Sequence, residues 1–220
     1  MSRVSECKIV SEVKLGKNII IEDYVIIGVR PTKESSRGPL VIGDNSKIRS
    51  HTVIYSGNII GDHFQTGHGA LIRENNIIGS NVSIGSHSVV ERDNRIGNNV
   101  RIHSNCFIPE FVIIEDNVWI GPSLTILNVL HPPCPKFEEC VKNDPVVIKE
   151  NAKIGGNVTI APGVTIGKNS LVGAGAVVVD DVPDNVVVTG SPSKIIKRID
   201  QLTCKEGYYK NPYEWERERK

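Results

Sequence analysis

The stretch IGSNVSIGSHSVVERDNRIGNNVRI, residues 78–102, places an aliphatic side chain at every sixth position: Ile78, Ile84, Val90, Ile96 and Ile102. A period of six fits neither a helix, with 3.6 residues per turn, nor one long strand, with its period of two. It fits very short parallel strands joined by tight turns around a triangular coil, with three hexads in each turn of the coil. Followed in both directions, the frame runs from Ile42 to Ile126, and fourteen of its fifteen positions are Ile or Val, Thr66 being the exception. In a chain that is 39% hydrophobic such a run is not accidental. The spacing also holds upstream at Ile9, Leu15, Ile21 and Ile27, and downstream at Ile148, Ile154, Ile160, Ile166, Val172 and Val178. Gly commonly follows the aliphatic position and Asn commonly lies three beyond it. Both tolerate positive φ, which a corner repeated every six residues demands.

The frame breaks twice. Nine extra residues between Ile27 and Ile42, and sixteen between Ile126 and Ile148, must loop out so that the stacked core continues undisturbed. The sequence therefore predicts an all-β parallel β-helix of about eight coils over residues 1–199, with loops at 28–41 and 127–147. A charged, aromatic tail follows at 200–220, and a short helix is expected within it. Loops as long as the second usually serve function.

Composition narrows the classes. With 26 Lys plus Arg against 25 Asp plus Glu, the net charge of +1 supplies no global field for nucleic acid or an anionic membrane. No apolar run approaches the roughly 20 residues of a membrane span. The opening MSRVSECKIV is charged where a secretory signal is apolar, so the expected location is cytoplasmic, and Cys7, Cys106, Cys134, Cys140 and Cys204 are expected as reduced thiols.

The segment NVWIGPSLTI, the looped-out LHPPCP and the run KIGGNVTIAPGVTIGKNSLVGAGAVVVDDVPDNVVVTGSPSKII together resemble the left-handed β-helix hexapeptide acyltransferases, over roughly residues 9–200. The left hand comes from this resemblance, because parallel crossovers are right-handed in about 98% of cases. The resemblance implies an acyltransferase that takes acetyl groups from acetyl-coenzyme A without a metal, and a homotrimer with active sites between subunits. Its nearest look is to enzymes that N-acetylate amino sugars carried on nucleoside diphosphates, with O-acetylation of a sugar hydroxyl as the alternative acceptor chemistry.

Residues eighteen apart stack in neighbouring coils about 4.8 Å from each other. One corner reads Asn45, His63, Asn81, Asn99 and Asn117, a turn ladder in which His63 replaces Asn. A second reads His51, Gly69, His87, Asn105 and Ser123, just ahead of the 127–147 loop; it is either an acceptor site or a solvated corner. The catalytic candidates are His131, Asn105 and His87. By the resemblance, His131 matches the catalytic His-Pro of hydroxyl-acetylating relatives, and Asn105 matches a polar active-site side chain of amino-sugar relatives. A hydroxyl needs a base such as histidine, whereas for an amine positioning can suffice. The resemblance places acceptor binding in the amino-terminal coils, where His68, Arg73, Glu74 and His103 are the candidates and Arg73, Arg92 or Arg101 could pair with a diphosphate. The resemblance places coenzyme A along Gly173 and Ala174, its adenosine end at Thr189 and Gly190, and a phosphate by Lys194 and Lys197. Val100, Phe111, Val118 and Trp119 are expected at an interface.

Two other classes remain. A γ-class carbonic anhydrase shares the fold and His63 with His68 forms an HxxxxH pair, but the position of its upstream ligand is Ile27. A non-catalytic scaffold leaves the 127–147 loop and the VVTGSPSK ending without a role.

Overall fold

A computed structural model describes residues 7–32, 38–210 and 212–213. Nearly every strand is two residues long, with its first side chain outward and its second, the hexad aliphatic, inward. The strands stack into three faces. The first runs from Lys8–Ile9 to Val177–Val178 and the second from Val13–Leu15 to Thr165–Ile166. The third runs from Ile20–Ile21 to the hairpin of Val186–Gly190 and Ser193–Arg198. Pairing is parallel and in the expected register, with Leu71 beside Val89, Ile77 beside Arg95 and Ser83 beside Arg101. The architecture is a left-handed parallel β-helix. Its final hairpin is antiparallel, pairing Thr189 with Lys194 and Gly190 with Ser193.

Nearly every corner uses a left-handed residue three after the aliphatic. Asn45, His63, Asn81, Asn99 and Asn117 have φ of 57, 58, 58, 57 and 60°, and His51, Gly69, His87, Asn105 and Ser123 have 63, 63, 57, 60 and 61°. The same reversal turns the next residue inward, which gives each hexad a second buried position. Phe64, Val82, Val100, Cys106, Val118 and Leu124 occupy it. Val100 and Val118 are therefore core, each 1% exposed, and not interface residues as expected. At the third corner this inner position holds Asn58, Asn76 and Asn94. Their carboxamide oxygens accept the backbone N–H of Asn76, Asn94 and Val112 in turn, at 2.8, 2.9 and 2.8 Å.

The loop bounds are narrower than the sequence frame suggests. Gly28 and Val29 extend the strand Ile26–Val29, Leu40 and Val41 open Leu40–Ile42, and Val147 belongs to Val147–Ile148. The second insertion also contains a helix that was not expected, α1, Phe137–Asn143. Glu138 and Glu139 lie in its first turn and Lys142 in its last, which suits the helix dipole. The described part of the tail contains a three-residue 3₁₀ turn, Ile199–Gln201, where a helix was expected. Positions 211 and 214–220 lie outside the described residues.

Candidate active site

The second insertion leaves the first face after Thr125–Ile126 and returns on the second at Val147–Ile148, so it takes the place of one third corner. It is clamped back onto the third corners of earlier coils. The Arg92 guanidinium binds the Glu138 carboxylate of α1 and, at 2.9 Å, Asp93. The Phe111 ring lies between two cations, Arg92 at 5.1 Å and Lys142 at 4.9 Å. Asn128 donates to Glu110 at 2.7 Å. These contacts fix the base of a loop whose apex, His131-Pro132-Pro133, is exposed.

The acceptor candidates divide into two places. Arg73 and Glu74 lie at the third corner, where Arg73 donates to buried Glu74 at 2.9 and 3.2 Å and to Glu91 at 3.1 Å, over the Tyr55 ring. Burial pushes the Glu91 carboxyl up, against the pull of Arg73. Arg73 and Arg92 are thus committed to carboxylates. Arg101 makes one hydrogen bond among the described residues, from Nε to His103 Nε2 at 3.3 Å.

His68, His87, Asn105 and His103 belong to the second corner. His68 Nδ1 meets Ser50 Oγ at 2.8 Å. The His87 ring rests on Gly69 of the coil before, where an added Cβ would come within 2.9 Å of Nδ1, so the glycine makes room for the ring. The His51 ring packs on Tyr24 at 5.1 Å, a partner the sequence reading missed. The left-handed φ of His51, His87 and Asn105 explains only the corner and not the choice of imidazole over the usual Asn.

His103 is the informative departure. It follows the aliphatic position in a column otherwise rich in glycine, at Gly67, Gly85, Gly121, Gly155 and Gly173. Its side chain therefore stands over the third face, edge-on to Trp119 at 4.9 Å. Burial, and then the Arg101 charge, push its pKa below the ordinary value. A histidine whose folded pKa is lowered binds fewer protons than the unfolded chain below about pH 6.5, so its contribution to stability is lost as pH falls through that window. In a proton NMR titration His103 is expected to titrate below 6.5, and Arg101→Gln to move its midpoint upward but not past that value, because burial remains.

The cofactor candidates form one patch. Gly173 packs on Thr189, where an added Cβ would lie 2.8 Å from the hydroxyl oxygen, and Thr189 pairs with Lys194. Ala174 and Gly175 are exposed at the second corner, and a Cβ on Gly175 would meet nothing within 4 Å. A flat strip almost free of side chains thus leads to a hairpin that displays Thr189, Gly190, Lys194 and Lys197. His63 and His68 lie on different corners, and among the described residues no three His, Cys, Asp or Glu gather as metal ligands.

Residues 145–180 match the family model for the bacterial transferase hexapeptide, six repeats. The chain carries the hexapeptide repeat of bacterial transferases. It is 42% identical over 105 residues to galactoside O-acetyltransferase from Escherichia coli, covering 46% of this chain and 50% of that one. It is 44% identical over 86 residues to 2,3,4,5-tetrahydropyridine-2,6-dicarboxylate N-acetyltransferase from Clostridium perfringens, covering 39% and 33%. The chain thus spans half or less of the length of these relatives. A UDP-N-acetylglucosamine acyltransferase from Bacteroides fragilis shares the fold, with a TM-score of 0.60 at 18% identity over 86% of this chain and 72% of that one.

Proposed function

We propose that the protein is an acetyl-coenzyme A-dependent acetyltransferase whose acceptor is a sugar hydroxyl. The observation that carries the reading is an exposed His131 on a clamped loop, in a chain that also has a smooth second corner leading to a lysine-bearing hairpin. The flat strip at Ala174 and Gly175 suits the pantetheine arm, and Lys194 and Lys197 supply charge for phosphate. His131 takes the acceptor proton as the oxygen attacks the thioester carbon, then returns it to the departing sulfur as the C–S bond breaks. Asn105 positions the acceptor, as the resemblance suggests.

The likeness to a galactoside O-acetyltransferase supports a hydroxyl acceptor, and the commitment of Arg73 and Arg92 to carboxylates weakens the case for a nucleoside diphosphate. N-acetylation is the second reading, supported by the likeness to an N-acetyltransferase. The trimer belongs to the same proposal. Outward Ile59 and Ile77, adjacent on the second face and 55% and 49% exposed, offer apolar surface for it.

The test is thiol release from acetyl-coenzyme A with galactosides and with nucleotide-linked amino sugars, at a mass fixed by light scattering. Galactoside-dependent release supports the hydroxyl reading, and release with amino sugars alone replaces it by the amine reading. No saturable binding of acetyl-coenzyme A at millimolar concentration ends both.

A further inference from the structure

The outer side of the third face carries a cavity of ≈ 1000 Å³ between the corner of stacked asparagines and the end of the chain, where Pro212 and Tyr213 help to line it. Arg101 and Trp119 were considered above for a diphosphate and an interface, but no site described above occupies this cavity. Its floor is a column of outward side chains in adjacent strands, Gln65, Ser83, Arg101, Trp119 and Lys153. A second, smaller cavity of ≈ 190 Å³ shares Gln65, Ser83 and Arg101, so Arg101 borders both.

Three properties of this floor decide what it suits. First, the acidic and basic groups at the rim are already paired, Asp200 with Arg198 at 3.3 Å and Glu150 with Lys168 at 3.7 Å. Arg101 has no carboxylate partner among the described residues, and its one hydrogen bond goes to an imidazole. Because His103 holds its proton less readily than an ordinary histidine, the pair presents a single cation near neutral pH. A guanidinium of this kind favours a bidentate anion such as phosphate or carboxylate. Second, Trp119 is 39% exposed on this floor, and its ring is braced edge-on by His103 at 4.9 Å. A braced indole offers a flat apolar platform at little cost in side-chain freedom. Third, the asparagine ladder is interrupted here. Asn81 donates to Asn99 and Asn99 to Asn117, at 2.9 and 3.1 Å, and Asn151 donates to Asn169 at 3.2 Å. Between Asn117 and Asn151 no such bond forms, so one amide donor and one acceptor face the break. The side chains of Gln65 and Ser83 likewise have no hydrogen-bond partner among the described residues. An unpaired cation beside an aromatic platform and several open hydroxyl-matching groups is the chemistry that recognises an anionic sugar.

The geometry points to the third-face cavity as a binding site for a pyranose bearing a phosphate or carboxylate group, with Arg101 holding the anion and the sugar ring resting on Trp119. The site concerns binding alone and stands whether or not the acetyltransferase reading does. The sequence contains two tryptophans, Trp119 and Trp215, so a Trp215→Phe chain reports on Trp119 by fluorescence. Glucose 1-phosphate, glucose and inorganic phosphate are the probes. Glucose 1-phosphate is expected to change the emission saturably, and glucose and phosphate to need at least about tenfold higher concentrations. Arg101→Gln, at an exposed position, should raise the half-effect concentration of glucose 1-phosphate by about tenfold or more, as loss of a charge-assisted bidentate contact implies. No saturable change up to about 10 mM, a weak ligand on the affinity scale, overturns the site. So does a response that Arg101→Gln leaves within about twofold, or phosphate alone binding as tightly as the sugar phosphate. The readout does not depend on acetyl transfer, so failure of this site and failure of the transferase reading are told apart.

Discussion

Replacing His131 by alanine is expected to lower turnover on a hydroxyl acceptor by about 10²- to 10⁴-fold, the range for loss of a general base, while coenzyme A binding stays within about twofold of the parent. The two effects separate because the residues assigned to them lie on different parts of the fold. His131 sits at the exposed apex of the second insertion, and Thr189, Gly190, Lys194 and Lys197 sit on the terminal hairpin. The comparison at Asn105 needs a different substitution. Asn105 has φ of 60°, so alanine there strains the corner as well as removing the amide. Asn105→Gly keeps the left-handed backbone accessible and removes only the side chain, and its expected effect is a raised KM for the acceptor with kcat less affected. Steady-state kinetics on both variants, with calorimetric titration of coenzyme A, provides the check. If His131→Ala turns over a hydroxyl acceptor within about threefold of the parent, His131 is not the base and the hydroxyl mechanism fails with it. If the loss appears with a hydroxyl acceptor but vanishes with an amine, the base is needed only where the nucleophile cannot deprotonate in solvent.

The hexad period made the three faces, the register and both insertions legible, because one buried aliphatic every six residues fits short stacked strands and neither a helix nor one long strand. The second inward column was not legible. Cys106, Ser88 and Val100 share no residue type, and only the left-handed turn before each of them sends the side chain inside. Val100 and Val118 were misassigned for that reason. The Arg73–Glu91 pair was readable in principle, since the two residues lie eighteen apart on stacked coils. The Arg92–Glu138 pair was not, because the insertion breaks the frame that relates position to place. Helix α1 escaped for a local reason: it is seven residues long and buries Val141 alone, so it carries no periodic pattern. His103 was named as an acceptor residue, but its place over the third face follows from two neighbours, Arg101 on its own coil and Trp119 one coil later.

Asn94→Leu is expected to destabilise the protein by about 2–6 kcal/mol, through two backbone groups, one part-buried and one buried, left without partners at about 1–3 kcal/mol each. Asn94 is 1% exposed; its amide donates to the Glu91 carbonyl at 2.8 Å and its oxygen accepts the Val112 N–H at 2.8 Å. Leucine removes both bonds, and the N–H of Val112, a residue 1% exposed, is left buried without a partner. In a chain of this size the cost corresponds to a melting midpoint lowered by about 10 °C. Asn99→Gly is the control. Asn99 has the same residue type at a corner of similar backbone, but its amide ladder lies at the exposed surface, where such bonds contribute little, and glycine accepts its φ of 57°. Its midpoint is expected within about 2 °C of the parent. Equal effects from the two substitutions would mean that the exposed amide ladder holds the coils as strongly as the buried one. Position matters for activity as well. Asn94 directly follows Arg92 and Asp93, and that pair anchors α1 at the base of the His131 loop. Loosening the ladder beneath the anchor therefore frees the loop before the solenoid melts, and acetyl transfer by Asn94→Leu should be lost at a temperature below its own unfolding midpoint, measured on the same sample by circular dichroism.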